Sequence, residues 1–202
     1  MKEKGKIMEI SEKPTKNIIQ NTKKNIIDVA RRLFSEYTYL GVSMSDIAKG
    51  LNITKAALYY HFVGKADIYE NVLTEVFDNL KSILKEALSE ATIDKRLHKL
   101  IKSYLDYGLK EKNFVRSFML KFSPAESRIQ NYIFQFRKQV DEIIQPLIKD
   151  ALISKKLPKQ VDYQLFASLL ISMMDGLILE YSFLNKKVES DKIADQIIAV
   201  LF

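Results

Sequence analysis

The sequence predicts an all-α protein, and three observations support this fold class. Apolar residues recur every three or four positions through most of the chain, which is the spacing of amphipathic helices. No segment shows the sustained alternation of apolar and polar residues that is typical of a half-buried strand. The 202 residues are 47% hydrophobic and include only six glycines and four prolines, a composition that favours a packed helical protein over a disordered one.

The N-terminal third is expected to hold an arm and three helices. Residues 1–15 are rich in Lys and Glu, lack the apolar region of a signal peptide, and are predicted to form a flexible arm. An amphipathic helix is predicted over about 16–37, and Gly41 is expected in the turn that follows it. Two short helices are predicted next, over 43–50 and 54–61.

The rest of the chain also has helical spacing and brings the predicted total to about nine helices. Pro124 and Pro158 fall between segments, whereas Pro146 falls inside one and is expected to kink or divide it. The six predicted helices span about 65–91, 93–110, 113–122, 126–154, 160–184 and 189–201.

Two features of composition bear on the cellular compartment. The longest apolar stretch, Leu165–Leu179, is interrupted by Asp175, so a buried helix of a soluble protein is a better interpretation than a membrane span. The chain has no cysteine, which excludes disulfides and Cys-ligated metals and is consistent with a reducing cytoplasm. We therefore expect a cytoplasmic protein that makes no use of a membrane.

The positive charge is concentrated at the N-terminal end. Residues 1–65 contain 12 Lys and Arg against 6 Asp and Glu, so they carry +6 of the net charge of +7. A basic segment joined to a nearly neutral body indicates a module that binds a polyanion. A basic, solvated tail would produce the same surplus, so charge alone leaves both interpretations open.

The window from Gly41 to Phe62 has the pattern of a helix-turn-helix. Ser43 and Asp46 form an S-x-x-D pattern close to a capping box, which predicts a helix start. Asn52 and Ile53 make a short turn, and Thr54 can cap the next helix. On that second helix Ala57, Leu58 and Phe62 are predicted to face largely inward, while Lys55, Ala56, Tyr59, Tyr60 and His61 face mostly outward. A unit of this kind places its second helix in the major groove of DNA.

The residues of this window resemble the TetR family of bacterial repressors. The resemblance rests on the runs Asp46-Ile47-Ala48, Leu51-Asn52-Ile53-Thr54-Lys55 and Leu58-Tyr59-Tyr60-His61-Phe62, on Lys65, and on Ala30-Arg31-Arg32-Leu33-Phe34 and Gly41 before them. It covers about 26–77, a quarter of the chain. Family members often have Gly where this chain has Ala56, which should make the second helix stiffer.

The resemblance implies a homodimeric repressor on a pseudo-palindromic operator in double-stranded DNA. It implies a DNA-binding domain over 16–62 and a domain over 63–202 that binds a small-molecule effector and dimerises. Effector binding shifts the fourth helix in such proteins and releases the DNA. The residues it places near DNA are Ser43, Thr54, Lys55, Ala57, Tyr59, Tyr60, His61 and Lys65.

Chemistry suggests how these residues act. The helix starts at Ser43 and Thr54 suit phosphates, because their free N–H groups attract anions. Lys65 is expected to contact backbone phosphate. Lys55 could reach a phosphate or a guanine edge, and only the second contact carries sequence information. The hydroxyls of Tyr59 and Tyr60 suit phosphate positioning, and the Tyr60 ring could touch a thymine methyl.

The C-terminal part carries candidates for an effector pocket and a dimer surface. Aromatic side chains gather in the middle of the chain, where they serve either as core or as a pocket lining. The pocket candidates are Tyr104, Tyr107, Phe118, Phe122 and Phe134. A helix that is apolar on nearly all faces needs covering on all of them, and small residues along 160–184 would let a partner helix approach. The dimer candidates are Leu165, Ser168, Leu169, Ser172, Met173 and Gly176.

Other interpretations remain at this stage. Asp175 could pair across the interface, face the pocket as the partner of a cation, or be solvated, and intramolecular packing could also explain the small residues. A helical protein that docks its Tyr-Tyr-His face onto another protein, or an architectural DNA binder, is an alternative function. With no cysteine, two distant histidines and no Gly-rich phosphate loop, we expect no enzyme, no cofactor and no metal.

Overall fold

The computed structural model describes residues 13–117, 123–154, 161–184 and 188–202, with side chains from residue 21 onward except at positions 117 and 125. The described residues are helical with no strand, as the sequence predicts, and they form nine α-helices. The helices are α1 Lys13–Gly41, α2 Met44–Gly50, α3 Lys55–His61, α4 Lys65–Leu88, α5 Ile93–Lys110, α6 Lys112–Ser117, α7 Ser127–Ser154, α8 Tyr163–Leu184 and α9 Ser190–Leu201. Most of the predicted arm lies outside the described residues.

Helix α1 has a break close to its predicted end. Thr38 adopts φ 62° and ψ 174°, a conformation that a β-branched residue rarely takes. The break therefore falls one residue after the predicted boundary at about 37. Ile26, Ala30 and Phe34 recur at four-residue steps before the break and are buried, so one face of α1 is anchored in the core.

Helix α7 differs from its prediction at two points. It begins at Ser127, because Pro124–Glu126 forms a 3-10 turn capped by Ser123. It also runs through Pro146 without being divided there. Pro146 and Glu142, whose carbonyl loses its helical partner to the proline, are both exposed; water can satisfy that carbonyl, which lowers the cost of the proline.

The core is continuous from the first helix to the last. Helix α1 packs on α4 and α6, and α4, α5, α7, α8 and α9 pack pairwise into a body. Tyr69 on α4 joins these regions, because its ring contacts Phe34 and Tyr39 on α1 and Phe114 on α6, at centroid distances of 4.8, 4.7 and 6.1 Å. The first three helices are therefore seated on the body through aromatic packing.

Among the described helices, α8 alone has the length and apolar composition to cross a membrane. Ala167, Leu170, Ile171, Met174 and Ile178 on it are buried in the body. Leu165 and Leu169 remain exposed on another face. A core helix with one uncovered apolar face can have the same composition as a transmembrane span. Because α8 packs against α5, α6 and α7, it is a helix of the core.

Candidate nucleic-acid interface

Helix α2 begins with the predicted capping box. The Asp46 amide donates to Ser43 Oγ at 3.2 Å, and the Ser43 amide donates to Asp46 Oδ2 at 2.9 Å. The Ser43 hydroxyl also donates to the same carboxylate at 2.6 Å. These hydrogen bonds lower the pKa of Asp46, so a carboxylate occupies the start of α2. The hydroxyl of Ser43 is thus already engaged, and only the amides of the first turn remain for a phosphate.

The turn between α2 and α3 is tight. Asn52 has φ 55°, a left-handed conformation that Asn tolerates better than most residues. The Ile53 amide donates to the Ala48 carbonyl at 3.0 Å. This turn leaves Thr54 free to cap α3, and its Oγ1 accepts from the Ala57 amide at 3.1 Å.

Helix α3 presents a polar and aromatic outer face. Leu58 and Phe62 are buried as predicted. Ala57 is exposed rather than inward-facing, because it directly precedes Leu58 and each step along a helix rotates the side chain by about 100°. The exposed set is Thr54, Lys55, Ala56, Ala57, Tyr59 and Tyr60.

The aromatic residues of α3 differ in exposure. Tyr60 is 76% exposed and Tyr59 is 53% exposed. His61 is half-buried, and its ring lies edge-on to Tyr60 at 5.1 Å. Two phenol rings held on the surface of a short helix are available to a partner rather than to the core.

Lys65 does not lie with the outward set. Its Nζ donates to the Tyr39 carbonyl at 3.0 Å and lies 4.1 Å from the centroid of the Tyr39 ring. Burial lowers the pKa of Lys65 although the Glu126 carboxylate opposes that shift. In this conformation the amine holds α4 to the end of α1, so the predicted phosphate contact would require it to leave Tyr39.

Lys23 is a basic residue that the sequence reasoning did not single out. Its Nζ lies 5.2 Å from the centroid of the Phe62 ring, just after α3. The contact places a cation from α1 beside the C-terminal end of α3. The adjacent basic residues Lys23 and Lys24 in the sequence could have indicated a phosphate-binding cation here. That Lys23 lies beside α3, however, depends on how the helices pack.

A small cavity lies between α4, α5, α6, α7 and α8. Its volume is about 20 Å³, enough for about one water molecule. Two of the pocket candidates, Tyr104 and Tyr107, line it together with Phe77, Phe114 and Phe136 among others. The pocket candidates Phe118 and Phe122 lie outside the described residues.

Phe134 does not line this cavity, contrary to the prediction. It is 67% exposed on α7. Two residues further on, Phe136 points inward and stacks on Phe77 with ring centroids 3.6 Å apart. Residues two apart on a helix point in widely different directions, so only one of the two could face the body.

A buried polar cluster lies next to the cavity. The Tyr104 hydroxyl donates to Asp175 Oδ1 at 2.7 Å, and the Arg137 guanidinium pairs with the same carboxylate. Burial and then the charge of Asp175 raise the pKa of Tyr104. For Arg137, burial is the largest single effect and lowers the pKa, but the charge and hydrogen bond of Asp175, with smaller contributions from Tyr104 and Asp141, together raise it. Asp175 is therefore the partner of a cation, and that cation is Arg137.

The outer face of α8 is apolar and open. Leu165 and Leu169 are each 59% exposed, Met173, Ser172 and Gly176 are also exposed, and a Cβ on Gly176 would meet nothing within 4 Å. Ser168 is half-buried, and its hydroxyl bonds to Asp141 on α7 at 3.3 Å, so it belongs partly to the core. A groove of about 590 Å³ between α8 and α9 adjoins Met173 and reaches the exposed Val200.

Known proteins are similar to this chain over most of its length. A family profile described as "Bacterial regulatory proteins, tetR family" matches residues 26–72. IcaR of Staphylococcus aureus, the biofilm operon icaADBC HTH-type negative transcriptional regulator, is 31% identical over 166 residues, which cover 81% of this chain and 86% of IcaR.

Two solved structures share the fold. The transcriptional regulator FadR of Bacillus subtilis, in complex with stearoyl-CoA, has a TM-score of 0.72 and 18% identity and is matched over 88% of this chain and 96% of its own. AibR, in complex with isovaleryl coenzyme A and operator DNA, has a TM-score of 0.69 and 20% identity over 89% and 97% of the two chains.

Proposed function

Since this chain belongs to the TetR family of bacterial transcriptional regulators, we propose that it is a cytoplasmic repressor that binds an operator through α3 and releases it on binding a small ligand. The observation that carries the proposal is the outer face of α3, where Lys55, Tyr59 and Tyr60 are exposed above a capped helix start. Repression is supported by the similarity to IcaR, a negative regulator.

We assign α1 to α3, within residues 16–62, to DNA binding. Thr54 caps the start of α3, where the free backbone amides suit a phosphate. Lys55, the next residue, contacts either a phosphate or the edge of a guanine. The hydroxyls of Tyr59 and Tyr60 contact phosphates and so position the DNA backbone. Ala57 and His61 lie close to the DNA beside them. Ser43 contributes the amides of its helix start, and Lys65 contributes only after leaving Tyr39.

The effector is proposed to enter the body, residues 63–202, at the cavity lined by Tyr104 and Tyr107. The lining is mostly apolar and aromatic, as in most small-molecule sites. Phe118 and Phe122, which lie outside the described residues, are also proposed to line the site. Acyl-CoA is the first effector class to test, because FadR and AibR hold such ligands. A cavity of about 20 Å³ cannot hold an acyl chain, so binding must separate the surrounding helices.

The partner on the open face of α8 is proposed to be a second copy of the chain. Leu165, Leu169, Met173 and Val200 would otherwise leave a contiguous apolar surface in water. A two-fold pairing covers α8 and α9 with the same helices of the partner, and the open space at Ser172 and Gly176 allows close approach. Such a dimer presents two α3 helices to half-sites about 34–36 Å apart.

The function is tested by selecting binding sites from a random duplex library with the purified full chain. We expect an enriched pseudo-palindrome whose affinity, measured by fluorescence anisotropy, falls steeply with salt because bound phosphates release counterions. Stearoyl-CoA, as the probe, should lower that affinity. If α3 docks onto protein instead, no sequence is enriched and the salt dependence is weak.

A further inference from the structure

One ion pair joins the DNA-binding helices to the turn between α5 and α6. Arg31 Nη2 on α1 lies 2.6 Å from Glu111 Oε1. The side-chain amide of Asn113 donates to the Ser35 carbonyl close by, and the Arg31 guanidinium lies 5.9 Å from the Phe114 ring centroid. The C-terminal half of α1 is thus attached to one corner of the body through polar contacts.

Glu111 also lines the cavity. It is 6% exposed, and of the described residues that line the cavity it alone has a carboxyl or basic side chain. Removing the partner of a buried charge is costly, because the charge is left without compensation. Separating Arg31 from Glu111 therefore costs free energy, so the two side chains should move together.

Backbone hydrogen bonds connect Glu111 to two other residues of the cavity wall. The Glu111 amide donates to the Tyr107 carbonyl at 2.9 Å, and the Glu111 carbonyl accepts from the Phe114 amide at 2.8 Å. Tyr107 and Phe114 both line the cavity. A movement of α5 or α6 that enlarges the cavity consequently moves Glu111.

We propose that the Arg31–Glu111 pair is the positioning link through which the state of the cavity sets the orientation of the DNA-binding helices. Enlarging the cavity displaces Glu111, Arg31 follows the buried carboxylate, and α1 carries α2 and α3 with it. The inference rests on the proposed function, since it assigns a route for the response of that site. Arg31 and Glu111 act here as positioning residues for the DNA-binding helices, and Glu111 does so as part of the cavity wall.

The test compares the Arg31–Glu111 pair with a more exposed ion pair that does not involve the DNA-binding helices. Arg31→Met, Glu111→Gln and their double variant are set against Lys99→Met, Glu90→Gln and their double variant. Lys99 Nζ lies 2.9 Å from Glu90 Oε1 within the body. Amide hydrogen exchange is measured over α1 to α3, operator affinity is measured on the selected duplex, and thermal unfolding reports whether each variant is folded.

Breaking the Arg31–Glu111 pair should speed exchange in α1 to α3 and weaken operator binding by about fivefold, and the double variant should be no worse than the poorer single variant. The Lys99–Glu90 variants should stay within about twofold of wild type in both measurements. Equal exchange and affinity in the two sets would overturn the link while leaving the proposed function intact. If wild type selects no duplex, the proposed function fails, and the exchange measurement still decides whether the link exists.

Transmission itself is tested by filling the cavity without a ligand. Ile178→Phe adds volume from α8, and Ile178→Met is a milder replacement if the first variant does not fold. Either should speed exchange in α1 to α3 in the wild-type background and add little to it in the Glu111→Gln background. Additive effects in the two backgrounds would show that the signal takes another route and would overturn the proposal.

Discussion

Tyr60 is a large aromatic residue that contributes little to the core. At 76% exposure on α3, its ring can be removed with little change in packing, and the same holds for the exposed Lys55. Residues of this kind allow binding to be separated from folding. Their substitution therefore gives the sharpest test of the site at the residue scale.

Tyr60→Ala and Lys55→Ala should each weaken operator binding by about tenfold, a cost within the range for one specific DNA contact. Thermal unfolding should stay close to wild type. If Lys55 contacts a phosphate, its variant should also reduce the slope of log affinity against log salt by about 1. Lys138→Ala, which removes an exposed cation on α7, is the control, and wild-type affinity in both α3 variants would refute the site.

Glu126 links the end of α1 to the turn before α7. Its Oε1 accepts from the Tyr39 hydroxyl at 2.5 Å. That hydrogen bond, opposed by burial and aided by Ser123, lowers the pKa of Glu126 from 4.5. A carboxyl whose pKa is lower in the folded state stabilises the protein above its unfolded pKa and loses that contribution as the pH falls through the lowered value.

Glu126→Gln should therefore reduce the free energy of unfolding at pH 7, and the difference from wild type should shrink below pH 4.5. Urea unfolding between pH 7 and pH 3 measures it. Tyr39→Phe removes the hydrogen-bond donor but keeps the Glu126 carboxyl. Its free energy of unfolding should therefore lose the same pH-dependent contribution. A difference that is constant across this pH range would contradict the assignment.

At the scale of elements, close approach between helices depends on Gly108. A Cβ at this position of α5 would lie 2.2 Å from Ile178 Cδ1 on α8. A side chain at position 108 would therefore force Ile178 to shift or change its rotamer within the core. The crossing forms part of the cavity wall, so its geometry affects both stability and the proposed pocket.

Gly108→Ala should destabilise the protein by about 1–3 kcal/mol, because the added methyl overpacks the crossing. Ile178→Val removes the clashing Cδ1 atom and should restore part of that loss in the double variant. Gly64→Ala is the control, since a Cβ there meets nothing within 4 Å and the backbone is extended. Strictly additive losses in urea unfolding would mean that Ile178 is not the obstacle.

At the scale of the whole molecule, the open face of α8 is the surface on which the proposed dimer would form. Leu169 is 59% exposed there, and Leu40 is 62% exposed at the end of α1. The two leucines are alike in type and exposure but lie on different surfaces. They form a matched pair for locating the dimer interface.

Leu169→Glu should shift the protein toward monomer in analytical ultracentrifugation, because it places two like charges in an apolar two-fold interface. Leu40→Glu should leave the dimer unchanged. Gly176→Leu should also weaken association by blocking close approach of the partner helix. Dimers of equal strength in all three variants would exclude this face.

Most of the local structure could be predicted from the sequence. The spacing of apolar residues predicted nine helices, and their described ends lie within a few residues of the predictions, the predicted end at 122 falling outside the described residues. The pattern of Ser43, Asp46 and Thr54 predicted two caps that the structure contains. Helix period and capping depend on neighbours in the chain, so they can be deduced from the chain alone. The resemblance around Tyr59 and Tyr60 indicated the family by the same local pattern.

Tertiary structure decided where individual side chains point. Lys65 reaches a carbonyl 26 residues earlier in the chain, after the break at Thr38. Phe136 lines the cavity in place of the predicted Phe134, which is exposed, because of the rotation of α7 about its axis. Asp175 is paired by residues on two other helices. These outcomes depend on packing between distant segments, and a sequence period constrains which residues share a face but not which neighbour that face meets.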